Sequence, residues 1–262
     1  MDWSKRLESQ FERRHVPCGG GRYLLTYSGG EGKETLVFLH GAASSWWSFR
    51  HQYRHLVGEY RIVAPNFRGH GGTPWTETEQ LEDFYADICQ WFASMDFPEP
   101  VTIVSHSLGG YLGARYASEH SSRVRRLVLM NSCGNFEWGF ARAFLEYCWP
   151  GADLVRRLLP GLVSVNSYMA GCLAKVIFPQ WNCWDIYPKL TMPTLIIFGT
   201  FDPLFSLKQG RRMAALIPNS HFEILPCSGH NPQLDHAREV NRLVRDFLKA
   251  PSAPYYRSVS LY

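Results

Sequence analysis

The sequence predicts an α/β fold in which a mostly parallel, twisted β-sheet carries helices on both faces. Three observations predict this fold. Short apolar runs of strand length alternate with helix-like segments along most of the 262 residues. The apolar runs are continuous, as in strands that are buried on both faces. Polar or glycine-containing turns follow several of these runs, so the chain can pass repeatedly from the sheet to a covering helix.

The individual elements follow from local patterns. Residues 3–14 are polar and fit a short helix. Residues 22–30 (RYLLTYSGG) carry apolar side chains after Arg22 and end in two glycines, which indicates a strand that ends in a turn. The segment 79–95 has apolar side chains at helical spacing and predicts an amphipathic helix. Further strands are predicted at 35–41, 61–67, 101–107, 124–132, 194–200 and 221–226, and further helices at 51–60, 108–120, 206–217 and 236–249.

The composition narrows the function classes. The net charge of +4 is mild, and basic residues occur only in short, scattered groups, which argues against a nucleic-acid partner. The seven cysteines form no CxxC pair and no Cys/His cluster at zinc spacing, so we expect reduced thiols, a cytoplasmic location and no bound metal. The sequence has no N-terminal signal core and no apolar run of membrane-spanning length, so stable membrane insertion is not expected. The oligomeric state is left open.

Three side chains of catalytic interest each follow one of the predicted strands. They are Ser107, Asp202 and His230. The carboxyl ends of parallel strands meet at one edge of a sheet, so we expect these side chains to converge there. A serine hydroxyl is a weak nucleophile at neutral pH unless a base lies within hydrogen-bond reach and a third group orients that base. The three residue types therefore indicate nucleophilic catalysis by Ser107.

Four motif features in matching order resemble the α/β-hydrolase family over residues 20–249. SHSLG at 105–109 is similar to the family's G-x-S-x-G nucleophile elbow, and HGAAS at 40–44 is similar to its oxyanion loop. NFRGHGGT at 66–73 resembles the family turn D-x-R-G-H-G-x-S. The serine, the acid and the histidine also follow one another in the family's chain order.

The resemblance implies a role for each residue of the site. Ser107 would be the nucleophile, His230 the general base, and Asp202 the acid that holds the imidazole in the productive tautomer. The backbone N–H groups of Leu108 and Ala42 would form the oxyanion hole.

Some positions depart from the family pattern or carry a secondary role. Ser105 replaces the first glycine of the elbow, which we expect to reduce close packing without changing the turn. Asn66 replaces the aspartate of the turn, and an amide can still cap a turn by hydrogen bonding. Asn131 stands where some family members carry the acid, but an amide cannot supply that charge. His40 and His70 are expected to hold loops by hydrogen bonds.

Residues 134–190 interrupt the alternation and are rich in aromatic side chains, at the place where family members insert a cap. The expected organisation is therefore a core at 1–133 and 191–250, a helical cap at 134–190 and a tail at 251–262. An apolar pocket is expected above the nucleophile. Its candidate substrate-binding residues are Trp46, Trp47, Phe140 and Phe144.

These features predict a serine hydrolase that cleaves carboxylic esters of small to medium apolar substrates through an acyl-enzyme, with no metal and no organic cofactor. The same three residues also suit cleavage of carbon–carbon bonds, lactones or thioesters. An acyltransferase would form the same acyl-enzyme and release it to an alcohol instead of water. A non-catalytic small-molecule receptor on this fold is the alternative outside the enzymes.

Overall fold

A single eight-stranded sheet forms the centre of the molecule, in the part that the computed structural model describes, residues 3–75, 80–136, 165 and 167–250. The strands are β1 (Phe11–Pro17), β2 (Tyr23–Gly29), β3 (Thr35–Leu39), β4 (Arg61–Pro65), β5 (Val101–His106), β6 (Val124–Met130), β7 (Thr194–Gly199) and β8 (Ser220–Leu225). Their order is β1-β2-β4-β3-β5-β6-β7-β8. The pairs that β2 makes with β1 and β4 are antiparallel, and the remaining pairs are parallel.

Strand β1 corrects the prediction for the N-terminus, where residues 3–14 were expected to form a helix. The helix ends at Glu8, and the chain then pairs in register with β2, from Phe11 opposite Gly29 to Pro17 opposite Tyr23. Four consecutive residues inside β1 are exposed. An edge strand has a partner on one side only and keeps polar side chains in solvent, so its sequence lacks the apolar run by which the other strands were recognised.

The helices cover both faces of the sheet. They are α1 (Trp3–Glu8), α2 (Arg50–Leu56), α3 (Leu81–Met95), α4 (Leu108–Glu119), α5 (Ser167–Cys172), α6 (Leu207–Leu216), α7 (Pro232–Asp235) and α8 (Ala237–Lys249). None of the helices in the described ranges combines the length and the hydropathy required to span a bilayer.

Two apolar clusters lie on opposite faces of the central strands. In β3, for example, Val37 and Leu39 belong to the cluster with α3 and α4, whereas Leu36 and Phe38 belong to the cluster with α2 and α8. Successive side chains of a strand point to opposite faces, so a strand that is covered on both sides is apolar at most positions and not only at every second one. All positions of β5 and β7 are buried. The predicted fold class is confirmed.

The chain between β6 and β7 contains the segment that was expected to form a cap. Its described part includes α5, which continues into a π-type turn at Leu173–Ile177. The segment is tied to the end of β6, because the Trp181 indole and the Tyr187 hydroxyl both donate hydrogen bonds to the carbonyl of Cys133, at 3.0 and 2.7 Å. These bonds fix where the segment returns to the sheet.

Candidate active site

The turn between β5 and α4 raises Ser107 above the edge of the sheet. Ser107 has φ 49° and ψ −117°, a strained conformation for a residue other than glycine. The start of α4 lies very close to the end of the neighbouring strand β3, since a Cβ on Gly109 would be 2.1 Å from the carbonyl oxygen of Leu39. Ser105 occupies the first elbow position without disturbing the turn, because its hydroxyl donates a 2.7 Å hydrogen bond to the carbonyl of Val128.

The three predicted side chains meet at the carboxyl edge of the sheet. The Nε2 atom of His230 lies 3.2 Å from the Oγ of Ser107, and its Nδ1 atom lies 2.9 Å from the Oδ2 of Asp202. A carboxylate only accepts, so Nδ1 carries the proton and Nε2 is free to accept the hydroxyl proton of Ser107. The Asp202 side chain is fully buried, while 16% of the His230 side chain is exposed. Ser107, His230 and Asp202, which are far apart in the sequence, are thus connected by two consecutive hydrogen bonds.

Asp202 is held by the start of the loop that follows it. Its Oδ1 atom accepts hydrogen bonds from the backbone N–H groups of Leu204 and Phe205, at 2.8 and 3.1 Å. These bonds leave Oδ2 directed at His230. The Phe205 ring packs edge-on against the His230 ring, with 5.3 Å between centroids. Sequence reasoning missed Phe205, and its position three residues after the acid was the only available signal.

Two buried histidines fix the loop that follows β3. His40 donates from Nδ1 to the Gly41 carbonyl at 2.7 Å and accepts at Nε2 from the Phe67 N–H at 3.1 Å. His70 accepts at Nε2 from the Ala43 N–H at 3.1 Å. Gly41 packs directly on the elbow, because a Cβ there would lie 3.3 Å from the Cβ of Ser107. The loop that contains Ala42 therefore lies beside the nucleophile.

The amide of Asn66 braces this loop from the neighbouring turn. Its Oδ1 accepts from the Trp46 N–H at 2.7 Å, and its Nδ2 donates to the Gly71 carbonyl at 2.9 Å. An aspartate at this position could accept the first bond but could not donate the second. Asparagine at position 66 therefore makes a hydrogen bond to the Gly71 carbonyl that the aspartate of the family motif could not make.

Trp46 does not occupy the pocket predicted for it. Its ring is 5% exposed and stacks on Tyr27, with 3.8 Å between centroids, inside the cluster on the α2 and α8 face. A ring packed in this way belongs to the core, so the prediction that Trp46 binds substrate is wrong. Trp47 is half-buried and packs against the same cluster, and its role stays a prediction. Phe140 and Phe144 lie outside the described residues.

Burial keeps several histidines around the site neutral. Desolvation lowers the pKa of His70 to about 4 and holds the pKa of His40 well below its ordinary value. Desolvation, followed by the neighbouring His230, lowers the pKa of His106 to about 3. Among the described residues, no group of three or more histidine, cysteine or acidic side chains could hold a metal ion.

The neutral histidines predict a loss of stability in mild acid. In the unfolded chain a histidine binds its proton near pH 6.5, whereas folded His70 does so only near pH 4. The unfolded state therefore gains protons first, and the free energy of unfolding decreases as the pH falls from 6.5 to 4. This pKa shift of His70 corresponds to about 3 kcal/mol at the acid end.

Urea unfolding at several pH values between 7 and 4 measures this decrease. We expect a shallower pH dependence for His70→Gln than for the wild type. His15→Gln changes an exposed histidine and should leave the pH dependence unaltered. An identical pH dependence in the wild type and in His70→Gln would contradict the prediction.

The sequence matches a known protein family over most of its length. Residues 36–243 match the sequence model of the alpha/beta hydrolase family. This match spans well over half of the chain. The chain belongs to the α/β-hydrolase family.

Relatives within the α/β-hydrolase family differ in what they cleave. The chain is 27% identical to a 2-hydroxy-6-oxononadienedioate/2-hydroxy-6-oxononatrienedioate hydrolase of Pseudomonas putida, over 95% of this chain and 99% of that protein. It is similar in structure to a carboxylesterase of Bacillus subtilis, with a TM-score of 0.78, 20% identity and 95% of each chain covered. A meta-cleavage product hydrolase of Pseudomonas fluorescens aligns with a TM-score of 0.74 and 23% identity, over 92% of this chain and 98% of that one.

Proposed function

We propose that this α/β-hydrolase is a serine hydrolase that cleaves carboxylic esters of small to medium apolar substrates through an acyl-enzyme on Ser107. The observation that carries the proposal is the continuous line of contacts from Asp202 through His230 to Ser107, 2.9 and 3.2 Å long. Both distances are within the reach that a base and a nucleophile need.

The proposed reaction has two steps. In the first, His230 takes the hydroxyl proton of Ser107 as Oγ attacks the ester carbonyl carbon, and then gives that proton to the departing alcohol oxygen. This forms the acyl-enzyme and the free alcohol. In the second, His230 takes a proton from water, the resulting hydroxide attacks the acyl carbon, and the proton returns to Oγ as the acid leaves. The buried Asp202 stabilises the imidazolium formed in each step.

The oxyanion of each tetrahedral intermediate would lie between two backbone N–H groups. Leu108 is the first residue of α4, and the first N–H groups of a helix have no partner within it. The loop with Ala42 is the second source, and the hydrogen bonds of His40 and His70 support that loop. One such donor is worth about 3 kcal/mol of transition-state stabilisation.

An aromatic cluster of Phe136, Phe178, Trp181 and Phe205 is buried beside His230 and makes the surroundings of that imidazole apolar. Its rings contact one another at centroid distances of 4.6 to 6.4 Å, and Phe205 extends the cluster to His230. Three of its members, Phe136, Phe178 and Trp181, come from the segment that we propose as the cap, residues 134–190. The surroundings of the base are thus apolar, which suits a neutral acyl group and disfavours a charged one.

A series of p-nitrophenyl esters of rising acyl length tests this proposal. If the acyl chain enters an apolar pocket, each added methylene contributes about 0.8 kcal/mol, so kcat/KM should increase by up to about fourfold per methylene until the pocket is filled. The hemisuccinate ester, of similar length to the butyrate to pentanoate esters but charged, serves as the matched control and should react more slowly than they do. Absence of hydrolysis for every member of the series would refute the proposal.

Hydrolysis of a carbon–carbon bond is the second candidate, because the chain resembles hydrolases named for 2-hydroxy-6-oxo dienoates. Such a compound has a ketone and no ester, so its hydrolysis has to break a carbon–carbon bond. Spectrophotometric loss of the dienoate measures this reaction directly. A kcat/KM for 2-hydroxy-6-oxononadienedioate above that for the best ester would favour the second candidate over the first.

A further inference from the structure

The loop that carries His230 is held by side chains from the two central strands. The Nε2–H of His106, the last residue of β5, donates a 2.7 Å hydrogen bond to the carbonyl of His230. The Nδ2–H of Asn131, which follows β6, donates a 2.7 Å hydrogen bond to the carbonyl of Gly229. The consecutive carbonyls of Gly229 and His230 are therefore held by side chains at the ends of the adjacent strands β5 and β6.

We infer that His106 and Asn131 are positioning residues that set the place of the His230 ring over Ser107. This inference rests on the proposed function, since the place of the ring matters only if His230 acts on Ser107. The two side chains are buried, at 2% and 0% exposure, and each lies within one residue of an element that carries or borders the nucleophile. Neither was assigned this role by the sequence.

The amide of Asn131 also connects the acid to the base. Its Oδ1 accepts a 2.8 Å hydrogen bond from the N–H of Gly199, at the end of the strand that precedes Asp202. The two loops touch here, because a Cβ on Gly199 would lie 2.4 Å from the Ser228 carbonyl oxygen. An amide can accept from one loop and donate to the other, which a carboxylate cannot, so Asn131 couples their positions. Asn131 has φ 36°, a conformation that asparagine tolerates better than most residues.

His106 is suited to act as a neutral donor. Its Nδ1 atom is buried and has no hydrogen-bond partner among the described residues, and Gly41 packs against it so closely that a Cβ there would lie 2.6 Å away. Protonation would place a second buried charge beside His230, whose ring centroid is 4.8 Å away. The neutral form of His106 supplies the hydrogen bond to the loop. It places no positive charge beside the imidazolium that His230 forms during the proposed reaction.

Paired substitutions separate the hydrogen bond from the volume of the side chain. His106→Phe keeps a ring and removes the donor, whereas His106→Gln keeps an N–H donor at a similar reach. Asn131→Asp keeps the acceptor toward Gly199 and turns a carboxylate oxygen toward the Gly229 carbonyl. We expect kcat for the best p-nitrophenyl ester to fall about 10- to 100-fold in His106→Phe and Asn131→Asp, because small misplacements of a catalytic group have effects of this size.

A large change in kcat with little change in KM distinguishes a positioning role from a role in substrate binding. KM should change less than about threefold in all three variants, since both side chains are buried below the surface that a substrate would reach, and His106→Gln should recover most of the kcat lost in His106→Phe. Thermal unfolding of each variant shows whether it is folded. Should His106→Phe unfold, Asn131→Asp and His106→Gln still decide the question. A folded Asn131→Asp or His106→Phe with the kcat of the wild type would overturn the inference.

Hydrogen exchange provides a readout that does not depend on activity. Mass spectrometry of a peptide that covers residues 226–236 should show faster exchange in His106→Phe and Asn131→Asp than in the wild type and His106→Gln. If the wild type cleaves no ester but these differences appear, the hold on the loop stands and the proposed function fails. Equal exchange in all four proteins would show that the two side chains do not hold the loop.

Discussion

Ser107→Ala is expected to reduce hydrolysis of the best p-nitrophenyl ester by more than about 10⁴-fold, with the protein still folded. Alanine removes the Oγ that lies 3.2 Å from His230 and adds no new atom to a crowded turn. The remaining activity would come from the oxyanion hole and from substrate binding. Initial rates and labelling by a fluorophosphonate probe measure the change, and the variant should not be labelled.

Ser105→Ala is the matched control, because it removes a second buried hydroxyl from the same elbow. The Ser105 hydroxyl donates to the Val128 carbonyl, and its loss should cost about 1 kcal/mol of stability and change kcat less than about tenfold. Equal probe labelling of the wild type and Ser107→Ala would contradict the assignment of the nucleophile. No labelling of the wild type would favour a non-catalytic receptor.

Asp202→Asn is expected to lower kcat by about 10³- to 10⁴-fold with little change in fold. The two backbone N–H groups that bind Oδ1 require the amide oxygen at that position, so the new NH₂ group must face Nδ1 of His230. Nδ1 then has to accept, and the imidazole proton moves to Nε2, where it faces Ser107. In this tautomer His230 cannot take the hydroxyl proton.

Rates over a range of pH, together with thermal unfolding, check this expectation. Asp246→Asn makes the same change at an exposed pair with Arg242 on α8 and should keep the activity of the wild type. A kcat within about tenfold of the wild type in Asp202→Asn would show that another group orients His230. The tautomer argument would then fail, although Ser107 could still be the nucleophile.

Most strands were predictable because their burial leaves a local signature. β5 and β7 are buried at every position, so each carries a run of apolar residues, with polar residues only near the strand ends. Helix α3 shows the same for a covering helix, since its buried residues recur at helical spacing. β1 left no such signature, because an edge strand with exposed side chains resembles any polar segment.

The substrate-binding residues were harder to predict than the triad. Adjacent tryptophans after the oxyanion loop indicated a pocket, but Trp46 begins a short 3-10 helix and packs among the core residues of the cluster on the α2 and α8 face. Phe205 contacts His230 instead. A ring in a core and a ring in a pocket have the same sequence pattern, since both need only an apolar neighbourhood.

The order of the strands and helices after β1, the turn at Ser107 and the choice of Asp202 and His230 as candidate acid and base follow from the sequence, because each depends on residue type and on neighbours a few positions away. Only the tertiary structure decided which side chains meet. His106 reaches a carbonyl 124 positions later, and Asn131 reaches one 98 positions later. A hydrogen bond depends on two atoms that lie about 3 Å apart. No local pattern specifies that distance until the strands are aligned in the sheet.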